Sequence, residues 1–277
     1  MNVTFVHCSP DAENLIVRMA RVSNPANEDN VTTAPKLLRY LIDHQHWSPF
    51  EMCSLCVKID TERDISAQIL RHRSFSFQEF STRYAEAQPL TIPNLRKQDL
   101  KNRQNSTDDL ASYASDYYEL QICDLYAKVE DLYDQMIADG VAKECARRIL
   151  PLSTQTTLYM HGSIRSWIHY INVRTSKETQ LEHRLIAEDC KQIFIEQFPT
   201  IGEAAFTPYD CEALYSLTEE QHTGIIAAAA IRALADQVVP HSGRYPMNEY
   251  MLGIRDAKQD VRDAILAIAT ELEGTND

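Results

Sequence analysis

The first 139 residues contain no glycine, and the whole 277-residue chain has only seven. That is about a third of the ~7% average usage. Closely spaced glycines let backbone approach phosphate in the GxGxxG dinucleotide turn and in the GxxxxGK[ST] loop. Neither pattern occurs. If this chain binds nucleotides, side chains must hold the phosphates.

The length suits one large domain or two small ones, with ample chain to bury a core. No apolar run approaches the ~20 residues that span a bilayer, and MNVTFVHCSPDAEN has no basic segment leading into an apolar one. The expectation is a soluble, cytoplasmic protein. Seven cysteines, an odd count without a signal, read as reduced thiols. Cys53 and Cys56 form one CxxC with no second ligand pair, so they read as packing residues and no metal site is expected.

The formal charge is −13, a poor starting point for a nucleic-acid binder. The charge is uneven, however. Gln68–Tyr84 holds Arg71, Arg73 and Arg83 against Glu79 alone. Lys143–Arg174 holds Lys143, Arg147, Arg148, Arg165 and Arg174 against Glu144 alone. Arginine suits planar, two-pronged recognition of phosphate and carboxylate. Solvated helix faces with local salt bridges are the plain alternative, but two islands short of their own acids favour an external anion.

Ser9-Pro10-Asp11 reads as a helix start, with Leu15, Ile16, Met19 and Val22 as its apolar face. Pro35 opens a second helix with Leu37, Leu38, Leu41 and Ile42 inward. A strand at about 52–60 follows, then Thr61 and Asp64 resemble a capping box before a helix to about Arg73. The stretch 74–107 is polar and irregular. Tyr118, Ile122, Leu125, Val129, Leu132 and Met136 are spaced 4-3-4-3-4, which predicts a long helix over about 108–139 capped by Gly140. A short helix at 142–149, a strand near 154–161, and helices over 163–173 and 177–197 complete the pattern to Pro199. Two more helices are expected over 225–239 and 250–272. The fold class is α+β, helix-dominated, with a small antiparallel or mixed sheet.

The densest chemical segment is Arg71-His72-Arg73-Ser74-Phe75-Ser76-Phe77-Gln78-Glu79-Phe80-Ser81-Thr82-Arg83-Tyr84. It resembles the signature of the flavin-dependent thymidylate synthases: RHR, seven residues, Ser, one residue, Arg. Arg21-Val22-Ser23, His46-Trp47-Ser48-Pro49-Phe50-Glu51 and Ala146-Arg147-Arg148-Ile149-Leu150-Pro151-Leu152 are similar to other family segments. So are Arg165-Ser166 and Asn172-Val173-Arg174, with Gln180 and Glu182 at family-like spacing. Positions usually Asn are Gln78, Ser163 and His169 here. The resemblance covers about residues 1–205, expected as the catalytic domain, and leaves 206–277 as a helical extension packed on it.

The resemblance implies a homotetramer with sites between subunits, methylating dUMP to dTMP. Carbon would come from methylenetetrahydrofolate and reducing equivalents from NADPH through FAD. Gln68, Arg71, Glu79, Phe80, Ser81, Thr82, Arg83, Arg147 and Arg174 match dUMP positions. Ser81, Arg83 and Arg147 would grip its phosphate, and Arg174, the implied catalytic residue, would favour charge at uracil N3. Ser23, Ser48, Arg71, His72, Arg73, Glu79, Ser163, Arg165 and His169 match FAD positions, and His46 and Tyr84 match folate positions. No nucleophile is assigned, because Ser81 has cations rather than a base around it. His46 and His169 could instead be satisfied core histidines. Three rival functions stay in view: a flavin- and folate-dependent pyrimidine nucleotide hydroxymethylase, an arginine-rich nucleic-acid-binding module, and an inactive relative kept as a scaffold.

Overall fold

The computed structural model describes residues 1–207. The helices expected over 225–239 and 250–272 lie outside those residues. In chain order the first half forms β1 (Asn2–Cys8), α1 (Ala12–Ala20), α2 (Ala34–Asp43), β2 (Ser54–Glu62), α3 (Arg63–Ile69) and β3 (Phe75–Glu79). A small ribbon, β4 (Lys97–Gln98) with β5 (Ser106–Thr107), precedes α4 (Ser112–Ala138). Then come α5 (Lys143–Ala146), β6 (Gln155–Ser163), α6 (Ile164–Arg174), α7 (Leu181–Gln197) and α8 (Pro199–Phe206).

Four strands pair in the order β1-β2-β6-β3, every neighbour antiparallel, which is the α+β class read from the sequence. Period-two alternation puts Leu55, Val57 and Ile59 of β2 and Leu158 and Met160 of β6 on the buried face. Trp167, Tyr170 and Ile171 of α6 and Ile186, Cys190 and Phe194 of α7 are buried in the same core. The Trp167 indole donates to Leu55 O at 2.9 Å, pinning α6 to the start of β2. Cys53 and Cys56 are free and buried.

Local chemistry explains where the chain departs from expectation. Ser9 caps no helix: its hydroxyl accepts from Ser54 N at 2.9 Å, and α1 begins after Asp11 in a left-handed conformation. Val22, expected inward, is exposed because α1 ends at Ala20, and Met19 in the last turn of α1 is exposed too. Thr61 and Asp64 form no capping box either. The first N–H groups of α3 donate instead to Thr154 O at 3.0 Å and Leu152 O at 3.2 Å, which satisfies the helix start from a neighbouring segment. Unread strands bound the sheet. β1 is an edge strand with a bulge between Phe5 and His7, which breaks its alternation. β3 carries a clean Phe-Ser-Phe-Gln pattern inside the stretch read as irregular.

Gly162 of β6 sits opposite Phe75 of β3, and a Cβ there would come within 2.5 Å of the Phe75 ring. The ring lies on that strand and meets Trp167 at 4.9 Å, edge to face. Gly162→Ala is expected to overpack this contact at a cost of about 1–3 kcal/mol. A thermal melt should fall by roughly 2–4 °C for each of those kilocalories. A variant melting with the parent would show that the ring does not need that glycine.

The long helix is present, 27 residues of it, and Gly140 ends it with φ +82°. Val141 N donates to Met136 O at 2.8 Å and Gly140 N to Ile137 O at 3.1 Å, the paired bonds of a Schellman cap. Among its residues only Tyr133 is buried, while Tyr118, Leu120, Leu125 and Leu132 are exposed. Among the described residues no helix is long and apolar enough to cross a membrane.

Candidate active site

The chain leaves α3 through a tight turn, His72 N to Ile69 O at 3.1 Å and Phe75 N to His72 O at 3.2 Å, and enters β3. The turn throws Arg71 and Arg73 outward, with no side-chain partner among the described residues, and tucks His72 half-buried between them. Along β3, Ser76 and Gln78 face out. Glu79 faces in, accepting from Ser66 Oγ at 2.8 Å and Thr156 Oγ1 at 3.1 Å. Beyond it Phe80 N donates to Thr157 O at 2.8 Å, and a turn closed on Ser81 O follows.

That turn docks on α5 and the short helical turn Arg147–Ile149. Buried Thr82 accepts from Arg147 Nη1 at 3.4 Å. Arg83 bridges Glu144 at 3.3 Å and Lys143 lies 3.7 Å from Glu86. The two arginine islands therefore meet here, although Arg83 and Glu144 are 61 residues apart in sequence. They are also less short of acids than the sequence reading held, since Arg165 too has a partner in Glu51. Both partners of the Arg83–Glu144 pair are 57% exposed. Such exposed pairs are worth about 0–1 kcal/mol, so an incoming phosphate can displace the acid.

Arg174, the last residue of α6, reaches the signature from the other side. Its Nε donates to His72 Nε2 at 2.8 Å, which needs a neutral imidazole. Burial, then Arg174, then His169 push His72 down to about 4. Behind it, Tyr170 meets the His72 ring edge-on at 4.9 Å, and the Tyr170 hydroxyl lies 3.2 Å from His183 Nε2. His183 is fully buried, its Nδ1 has no partner, and burial with Arg174 and His72 pushes it down to about 3.

These two histidines make stability pH-dependent. An unfolded histidine takes up a proton near pH 6.5, but the folded ones resist until about pH 4 and pH 3. Their contribution is complete above about pH 6.5 and is lost as pH falls toward 4 and below. Thermal melts should decline over that window, and His72→Gln, which keeps an acceptor but does not titrate, should decline less. Identical pH profiles for the two proteins would refute this.

The matched FAD positions of α6 sit beside the turn Ser48–Glu51. Glu51 accepts Arg165 Nη1 and Ser163 Oγ, each at 2.6 Å, and those bonds hold its carboxyl below the usual range. Ser163 also caps α6, accepting from Ser166 N at 3.3 Å. Ser48, Arg165 and His169 are exposed around this bridge. Ser23 lies elsewhere, lining a cavity of about 470 Å³ between α1 and α2 with Arg21, Asn24, Thr33 and Lys36. His46 is exposed beside Tyr40 and His44, and Tyr84 is 83% exposed after β3. Neither His46 nor His169 is a core histidine.

Sequence reasoning missed His183 and also Arg96, whose guanidinium bridges Glu182 at 2.6 Å. His183 was findable: with Ile186, Ala187, Cys190 and Phe194 it occupies the buried stripe of α7, where a histidine is out of place. Arg96 lies in a polar stretch with no motif, and no sequence signal marks it.

The profile of the family described as "Thymidylate synthase complementing protein" matches residues 4–200. This chain belongs to the flavin-dependent thymidylate synthase family. Its relatives include a probable flavin-dependent thymidylate synthase of Paramecium bursaria Chlorella virus 1, 52% identical over 70% of this chain and 90% of that one. The flavin-dependent thymidylate synthase of Synechocystis is 50% identical over 69% and 88%. Among solved structures, the UMP/dUMP methylase PolB of Streptomyces cacaoi, bound with 5-bromo-dUMP, superposes with a TM-score of 0.65. It is 26% identical and covers 73% of this chain and 93% of that one. These names do not favour the hydroxymethylase alternative. Every site position described above lies inside the span matched by the flavin-dependent thymidylate synthase family.

Proposed function

We propose that this protein is a flavin-dependent thymidylate synthase that methylates dUMP to dTMP. The reading extends to methylenetetrahydrofolate as carbon donor and NADPH as reductant. The observation that carries it is the junction of Arg174 with His72 inside the RHR signature, flanked by Arg71 and Arg73, which are exposed and have no side-chain partner among the described residues. The residues suit an anionic cofactor and substrate: the exposed guanidinium groups of Arg71 and Arg73, the hydroxyls of Ser48 and Ser163, and no glycine loop. Ser48, Arg71, Arg73, Ser163, Arg165 and His169 would hold FAD, with His72 and Glu79 contributing from the signature and Ser23 from the separate cavity between α1 and α2. FAD, when bound, supplies the hydride-transfer chemistry that no side chain offers.

The chain's own groups bind and polarise. Arg83, Ser81 and Arg147 would take the dUMP phosphate, Gln68, Glu79 and Thr82 its nucleoside, and His46 and Tyr84 the folate ring. Arg174, fixed at Nε by His72, presents its two remaining nitrogens as a fork toward the uracil edge. A cation there stabilises negative charge on the ring and raises electron density at the carbon to be alkylated.

The test is direct. Protein loaded with FAD should be yellow, bleach with NADPH without oxygen, and recover its colour in air. It should then form dTMP from dUMP and methylenetetrahydrofolate. Protein that takes up no FAD, or forms no dTMP, would overturn the reading.

The proposal includes a homotetramer, with the exposed Tyr118, Leu120, Leu125 and Leu132 of α4 covered by other copies. Light scattering at micromolar concentration should return about four times 31.7 kDa. A monomer with FAD bound would refute the tetramer and the sharing of sites between subunits.

A further inference from the structure

Gln68 is held from behind by a chain of hydrogen bonds that the reaction as described does not use. Its Nε2 donates to Gln180 Oε1 at 2.7 Å, and Gln180 Nε2 donates to Glu182 Oε2 at 3.1 Å. Glu182 takes Arg96 in a two-pronged bridge, Nη1 to Oε1 at 2.6 Å and Nη2 to Oε2 at 2.9 Å. These side chains are only 12% and 16% exposed. Arg96 Nε also donates to Ser106 Oγ at 2.8 Å on β5, so the guanidinium is fixed on three sides.

The chemistry of this chain gives it a direction. An amide donates at one end and accepts at the other, whereas an ionised carboxylate only accepts. Burial pushes the Glu182 carboxyl up, but the Arg96 bridge and further hydrogen bonds outweigh burial and hold it below the usual range. The end of Gln180 that meets Glu182 must therefore be its NH₂. Gln180 then turns its oxygen to Gln68, and only the Gln68 NH₂ can meet it. The Gln68 oxygen is left over, and no described residue donates to it.

We infer that Arg96, Glu182 and Gln180 form a positioning relay that turns the acceptor oxygen of Gln68 toward the nucleotide. This side of the site then takes a hydrogen-bond donor of the nucleoside, the sugar 3′-hydroxyl, since uracil N3 faces the Arg174 fork. Arg96, from the ribbon that precedes α4, becomes a specificity residue acting through two other side chains. The inference rests on the reading of this site as a dUMP site.

Exchanging the charges tests polarity apart from stability. Arg96→Glu with Glu182→Arg keeps an ion pair but offers Gln180 a donor, so both amides must turn over and Gln68 must present NH₂. Calorimetry on the FAD-loaded full chain should show the exchange variant melting close to the parent yet binding dUMP about tenfold or more weakly, the loss of one hydrogen bond. Gln180→Leu, which leaves the bridge intact, should weaken dUMP similarly. The nucleoside donor is checked with 2′,3′-dideoxy-UMP: lacking the 3′-hydroxyl, it should bind parent and exchange variant alike, and a preference of about tenfold for the parent would show that the 3′-hydroxyl is not the group Gln68 meets. An exchange variant that folds and binds dUMP like the parent overturns the relay. Should that variant not fold, parent-like binding by Gln180→Leu overturns it. A parent that binds no dUMP overturns the dUMP reading instead.

Discussion

Arg174→Lys is expected to leave the reductive half-reaction at the parent rate and to slow carbon transfer by about 100-fold, some 2.7 kcal/mol of transition-state stabilisation. The reason is geometric. Arg174 spends its Nε on His72, at 2.8 Å, and this bond orients the planar group. Two nitrogens remain to meet the carbonyl and N3 edge of uracil together. Lysine carries the same charge on one flexible point and has no such fork. It can satisfy His72 or the uracil, but it cannot hold a fixed angle to both. Binding of dUMP should remain measurable, because the phosphate contacts are untouched. Stopped-flow measurement of the two half-reactions separates the outcomes. Equal slowing of both, or carbon transfer at the parent rate, would make Arg174 a structural or phosphate residue.

Arg83→Ala should weaken dUMP by roughly 10- to 150-fold, the 1.5–3 kcal/mol of a charge-assisted contact, while FAD stays bound. Arg73→Ala should do the reverse. In the protein alone Arg83 rests on Glu144, an exposed pair that contributes little and that a doubly charged phosphate outcompetes. Glu144→Gln serves as the control: it removes the competitor and should leave dUMP affinity equal or slightly higher. Titration calorimetry with each ligand on each variant decides the matter. If Arg83→Ala and Arg73→Ala each lose both ligands to the same degree, phosphate and flavin are not divided between these two arginines.

Much of the site was legible because its residues are close in sequence. The run from Arg71 to Tyr84 carries its chemistry in fourteen consecutive positions, and the turn between α3 and β3 keeps them together in space. Element types were legible wherever the pattern is local. The 4-3-4-3-4 spacing and Gly140 specify α4 and its end, since both periodicity and cap are satisfied within one helix. β1 was not legible, because an edge strand with a bulge has one partner and no regular inward face. The supposed capping box failed because α3 takes its capping acceptors from Leu152 and Thr154, about ninety residues away.

By itself, then, the sequence determined the helices α1 to α7, the central strands β2 and β6, and where the arginines cluster, while α8 went unread. It could not determine which arginine works. Arg174 and His72 are 102 residues apart, and Arg96 and Glu182 are 86 apart. Those pairs form only because β6 lies between β2 and β3 in antiparallel register and α6 and α7 pack on its buried face. Arg83 and Arg174 are the same residue type, yet one rests on an exposed glutamate and the other on a half-buried, neutral histidine. The difference is one of solvent access and of fixed partners. Neither exists in a chain until distant segments have packed together and expelled the water between them.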